Sequence, residues 1–152
     1  SRGFHPALNG KQNLRVVAAA AGIPDSRVDE VLEMVELKDA AGKRMKNYSL
    51  GMKQRLALAG AILGDPEILI LDEPANGLDP AGIAWLRKFL RKLAEGGRTI
   101  LVSSHQLAEM QNTVDDVLII NKGKLIASGS MKEVIGDGSL EDAFLALTGG
   151  EL

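Results

Sequence analysis

The sequence predicts an α/β protein in which a helical amino-terminal part precedes a parallel-sheet core. Apolar residues recur at helical spacing through 1–64, an unbroken apolar block then interrupts that period, and strand-like blocks alternate with helical patterns beyond it. The run NLRVVAAAA predicts a first helix over 13–21, stopped by Gly22, Ile23 and Pro24. A second helix begins near Asp25 or Ser26. Its apolar positions Val28, Val31, Leu32, Val35 and Leu37 face the core, and Asp29, Glu30 and Glu33 face water. After a basic connector (Lys43, Arg44, Lys46), a third helix is expected over 50–63, with Ser49 placed as its N-cap.

At Glu67 the pattern changes. Ile68, Leu69, Ile70 and Leu71 follow one another without alternation, as in a parallel strand covered on both faces. Pro80 starts a helix carrying Ile83, Leu86, Leu90 and Leu93 on one face, and Gly96 and Gly97 end it. Strands are expected over 99–102 and 117–120, with a short helix over 107–112 between them. Asn121, Lys122 and Gly123 turn the chain into a hairpin partner over 125–128, and 140–147 is helical.

Composition narrows the function classes. With 152 residues, 45% hydrophobic and 25% charged, the chain is an ordinary globular domain or a small pair. Eighteen Lys and Arg against 20 Asp and Glu leave a net charge of -2, which gives no drive to wrap nucleic acid. The aromatics Phe4, Tyr48, Trp85, Phe89 and Phe144 are too scattered to stack a strand of bases. Cysteine is absent, so thiol chemistry is excluded. The longest weakly polar stretch, 56–64, is too short to cross a bilayer, and no signal pattern precedes it, so the chain is not expected to span a membrane itself.

The chemistry-bearing residues lie where strands end and helices begin. The block ILILDEP ends a buried strand on Asp72 and Glu73, and open parallel sheets bind ligands beyond such ends. Asp72 is suited to hold Mg²⁺ directly or through water, and Glu73 to polarise a water as general base; taken alone, the pair equally fits a solvated strand end. At Ser49, Leu50 and Gly51 a hydroxyl meets unpaired N–H groups and the positive end of a helix, which suits a phosphate; by itself this is also a plain cap. His105 follows the strand TILVSS and is suited to hydrogen-bond a transferring phosphoryl group and its attacking water, though most loop histidines have no such task. Asn76, Gly77, Leu78, Asp79 and Pro80 read as a tight turn into a helix. Lys53 and Arg55 read as solvated helix charges, and His5 receives no role.

The order of these features carries more than any one of them. The sequence resembles the second part of the nucleotide-binding subunit of ATP-binding cassette (ABC) transporters, over about 13–130. YSLGMKQRLALAGAIL resembles the family signature, ILILDEP the Walker B strand, NGLD the D-loop, and His105 the switch histidine; VLIINKGKLIASGS is similar to the strand pair that follows. SLGMKQRL and EPANGLDP are most similar to bacterial drug, antibiotic and lantibiotic exporters. Two departures stand out. Leu50 and Met52 occupy positions where the family usually has Gly and Gln, while Ser49 and Gly51 are kept. No G-x-x-x-x-G-K-[ST] occurs, and the loop glutamine of the family is not identifiable, Gln12 falling after it in register.

The resemblance implies a partial P-loop NTPase-like fold, with 1–64 as the helical subdomain and 65–152 as the carboxyl-terminal part of the RecA-like ATPase core. It implies ATP and Mg²⁺ as cofactors. Ser49 and Gly51 would contact the γ-phosphate held by a second nucleotide-binding subunit. Asp72 would serve the metal, Glu73 would be the base, His105 would position phosphate and water, and Asp79 would link the two sites. The implied partners are that second subunit and a transmembrane permease, with no nucleic acid, and the implied location is cytoplasmic, peripheral on the inner face of the cell membrane. Further expectations are that the amino-terminal Walker A portion lies outside this chain, that the carboxyl end is complete, that the chain alone is inactive, and that apolar sheet edges are exposed and favour dimerisation. The alternatives are a soluble cassette ATPase of translation or DNA maintenance, or a non-catalytic cassette-like binding domain.

Overall fold

The computed structural model describes residues 3–150, which fall in two compact units divided between Val102 and Ser103. In the first unit, helix α1 spans Gly10–Ala20 and so begins earlier than the apolar run suggests. Its start is set by a capping box: Asn9 Oδ1 accepts from Gln12 N–H at 2.7 Å, and Gln12 Oε1 accepts from Asn9 N–H at 2.9 Å. Asn13 is buried on the inner side of this helix, where its amide accepts from His5 N–H at 2.7 Å and donates to His5 O at 3.0 Å and Asn9 O at 3.1 Å. The polar side chain is thus fully used in tying the entering chain to the helix.

Helix α2, Asp25–Met34, buries Val28, Val31 and Leu32 as its period requires, and Val35 and Leu37 continue the same core. The connector that follows is more ordered than its polarity suggests, with 3₁₀ turns at Lys38–Ala40 and Met45–Asn47. It ends on Tyr48, whose ring is buried and whose hydroxyl donates to Ala40 O at 2.7 Å. A Cβ at Gly10 would collide with the Tyr48 hydroxyl, so a glycine is required there by close approach. Helix α3, Leu50–Ile62, then buries Leu56, Leu58, Ala59 and Ile62 against α1 and α2.

Burial raises the Tyr48 pKa above its ordinary 10.0, and a bond from the Gly10 backbone opposes that shift. The neutral phenol is therefore favoured by folding; its contribution is complete below pH 10.0 and is lost as pH rises through the higher folded value. The chain holds a single tyrosine, so tyrosinate absorbance reports this group alone. The expected titration midpoint in the folded chain lies above 10.0 and returns to it on denaturation. A folded midpoint at or below 10.0 would contradict the burial.

The period change at Glu67 yields strand β1, Ile68–Asp72, which pairs in parallel with β2, Thr99–Ser103, through the crossover helix α4, Pro80–Glu95. Helix α4 buries Leu86, Phe89, Leu90 and Leu93 on one face. The expectation that β1 is covered on both faces is corrected. Leu69 and Leu71 point into the core, whereas Ile68 and Ile70 are 65% and 71% exposed, and Leu101 of β2 is exposed as well. The exposed apolar residues of the strand pair are therefore Ile68, Ile70 and Leu101. The cause is geometric: successive side chains alternate, and only one face of the pair is packed against this unit's helices. An uninterrupted apolar run is compatible with either arrangement.

The second unit contains α5 (Leu107–Gln111), the antiparallel hairpin of β3 (Asp116–Asn121) and β4 (Lys124–Ser130), α6 (Met131–Ile135) and α7 (Leu140–Thr148). The hairpin turn has positive φ at both Lys122 (50°) and Gly123 (76°), the primed-turn geometry that matches strand twist. Helix α6 was not expected from periodicity; it is only five residues long and is started by the Ser130 hydroxyl, which accepts from Glu133 N–H at 3.1 Å.

Candidate functional site

Two helix starts open on one cleft in the first unit. The first is that of α3, where Ser49 Oγ accepts from Met52 N–H at 3.2 Å. The second is that of α4, where Asp79 Oδ1 accepts from Gly82 N–H at 2.7 Å and Pro80 occupies the first helical position. The cleft between them, about 380 Å³, is lined by Ser49, Gly51, Leu78 and Asp79 together with Arg55 and Trp85. Ser49 and Asp79 are both exposed, and Ser49 retains its own hydroxyl hydrogen as a donor while its oxygen serves the cap.

Gly51 is informative for what does not surround it. A Cβ there would meet nothing nearer than Leu78 Cδ2 at 3.9 Å, so packing within the unit does not demand a glycine. Glycine in the first turn costs roughly 1 kcal/mol of helix propensity against alanine. An open backbone at a helix N-terminus is the arrangement that lets an anion reach the N–H groups.

Asp72 ends β1 and is exposed; Glu73 follows, half-buried, with Oε2 shut off from solvent. The Glu73 backbone has φ 47°, in the left-handed region, at a cost of order 1 kcal/mol or more for a side chain without special reason to be there. Two turns follow, closed by Asn76 N–H to Glu73 O and Leu78 N–H to Ala75 O, both at 3.1 Å. This places Pro74 on the wall of the cleft. Of the six residues singled out from the sequence, the cleft gathers Ser49, Gly51 and Asp79, while Asp72 and Glu73 stand at the strand end that feeds it. His105 lies in the second unit, exposed in the turn between β2 and α5, beside Ser104, whose Oγ accepts from Gln106 N–H at 2.9 Å.

Arg55 departs from its expected role as a solvated helix charge. Its guanidinium lies 4.2 Å from the centroid of the Trp85 ring and its Nη1 is 3.2 Å from Glu36 Oε2, while Lys53 is exposed as expected. Trp85 in turn stacks on Phe89 with centroids 4.9 Å apart. This wall escaped the sequence reading because the Arg55 and Trp85 partnership joins residues thirty positions apart in the chain. Only the spacing of Trp85 and Phe89, one helical turn, was visible locally.

The parallel strand pair with its acidic end and the helices that open on one cleft belong to a P-loop NTPase-like fold, as the solved structures that the chain matches show. Residues 1–111 match the family described as "AAA domain, putative AbiEii toxin, Type IV TA system". The chain is 48% identical over 128 residues to the ABC transporter ATP-binding protein YhcH of Bacillus subtilis, covering 83% of this chain and 42% of that protein. It is 45% identical to the bacitracin transport ATP-binding protein BcrA of Enterococcus faecalis, over 87% of this chain and 44% of that one. To the lantibiotic transport ATP-binding protein SrtF of Streptococcus pyogenes it is 39% identical, over 90% and 58%. A solved ATP-binding subunit of an ABC transporter superposes with TM-score 0.82 at 27% identity, over 95% of this chain and 64% of that chain. A subunit of the cbiONQ ABC transporter complex of Clostridium perfringens does so with TM-score 0.75 at 32% identity, over 84% and 53%. The chain belongs to the family of this AAA domain, and its homologues are ATP-binding proteins of ABC transporters. It spans about half the length of the curated relatives it matches.

Proposed function

We propose that the chain is the signature-bearing part of an ATP-binding subunit that couples ATP hydrolysis to export of a drug- or antibiotic-like compound through a membrane permease. The observation that carries this reading is the shared cleft of Ser49, Gly51 and Asp79, with two capped helix starts turned to one opening. Ser49 and the N–H groups around Gly51 bind the γ-phosphate of ATP held by a second subunit, and Asp79 links the paired sites. Asp72 holds Mg²⁺, Glu73 takes the proton of the attacking water, and His105 orients that water and the phosphoryl oxygens.

Magnesium, when bound, neutralises charge developing on the phosphates. Asp72 would hold it: its carboxylate is exposed at the end of β1, and a single carboxylate suffices where phosphates and waters complete the shell. Residues 1–64 act as the helical subdomain and 65–152 as part of the ATPase core. The location that follows from this reading is cytoplasmic, peripheral to the membrane beside the permease.

Two measurements test the reading. The complete protein is expected to copurify with a polytopic membrane protein, and a soluble complex without one would count against export. Calorimetry on the 152 residues alone is expected to give no measurable MgATP binding, because no G-x-x-x-x-G-K-[ST] is present to cradle the phosphates. Tight binding by this chain would overturn the division of labour between the two subunits.

A further inference from the structure

Leu50 is apolar and 52% exposed at the first position of α3, where nothing in the phosphate chemistry calls for it. Its side chain lies across Gly77, a residue with φ 76° at which a Cβ would collide with Leu50 Cδ2. Gln54, one helical turn on and therefore on the same face, donates from Nε2 to Asn76 O at 3.2 Å. Leu78 reaches back toward Gly51, and Asp79 then caps α4. The connection 76–79 is thus held from the side by two α3 side chains and internally by the turn bond at Leu78 N–H.

We propose that Leu50 and Gln54 are positioning residues: a clamp that fixes the 76–79 connection to the first turns of α3, so that Ser49 and Asp79 are presented to a partner as one rigid face. The contacts stand by themselves; their catalytic meaning rests on the ATPase reading above. A side chain at position 50 therefore has a task that a glycine could not perform, and Gly77 is required both by its backbone angle and by the leucine lying over it.

The test is hydrogen exchange by mass spectrometry on the complete protein, together with ATP turnover, for wild type, Leu50→Met and the double variant Leu50→Ala, Gln54→Ala. In the double variant, exchange of the 76–79 amides is expected to accelerate about tenfold, the response of a local opening that loses one apolar contact and one hydrogen bond. Exchange in α2 should stay at the wild-type rate, and Leu50→Met should behave as wild type. Turnover should show a lower kcat, because the face that presents Ser49 and Asp79 to the partner is no longer held rigid. Unchanged exchange at 76–79, acceleration that spreads through α2, or faster exchange with an unaltered kcat each overturns the clamp. Local acceleration in a protein that hydrolyses no ATP even as wild type upholds the clamp and removes the ATPase reading.

Discussion

Glu73→Gln in the complete ATP-binding subunit is expected to leave ATP binding intact and to reduce turnover by about 10²- to 10⁴-fold, the usual contribution of a positioned general base. The amide keeps the size and shape of the carboxylate, so the half-buried pocket around it stays filled, but it cannot accept a proton. The left-handed backbone at this residue makes the comparison clean. Both side chains meet the same strain there, so a loss of rate reflects chemistry and not a rearranged turn. Equilibrium binding of a nucleotide and single-turnover hydrolysis separate the two effects. Turnover near the wild-type rate would remove Glu73 from the role of base.

Leu56→Ala should be the more damaging change for the fold. Leu56 is wholly buried in α3, the helix whose start bears Ser49. Truncating it removes apolar contacts and leaves a cavity among α1, α2 and α3, at a cost of about 2–5 kcal/mol. Urea denaturation should show a lower midpoint with an unaltered slope. Val16→Ala is the internal comparison, since Val16 is exposed on α1 and its truncation should change stability by no more than about 0.5 kcal/mol. Equal effects of the two changes would mean that the helices do not pack in this way.

Several elements are readable from the residues at their ends. Ser49 starts α3, Asp79 and Pro80 start α4, Gly96 follows its last residue, and Lys122 with Gly123 turns the hairpin, each because a specific backbone conformation or an unpaired N–H needs that residue type. The start of α1 was missed because its signal is the reciprocal pair Asn9 and Gln12 and not an apolar stripe. Helix α6 was missed because five residues hold too little of a period to read. The open face at Ile68 and Ile70 was hidden by a run that lacks polar punctuation.

The candidate site divides in the same way. Residue types and their order single out Ser49, Gly51, Asp72, Glu73, Asp79 and His105 as candidates. The left-handed turn at Glu73 has no local marker, since glutamate is not a residue that announces it. The contacts of Leu50 with Gly77 and of Arg55 with Trp85 join α3 to distant positions, and only packing reveals them.

Trp85 is the sole indole in the chain, and it stands on the wall of the cleft with the Arg55 cation against its ring. The molecule thereby carries an intrinsic optical reporter on the cleft at which the proposed function places a second subunit. A shift in its emission on mixing with nucleotide-loaded partner would register docking at the Ser49 helix without any label, and Arg55→Lys would supply the matching baseline by altering the cation next to the ring.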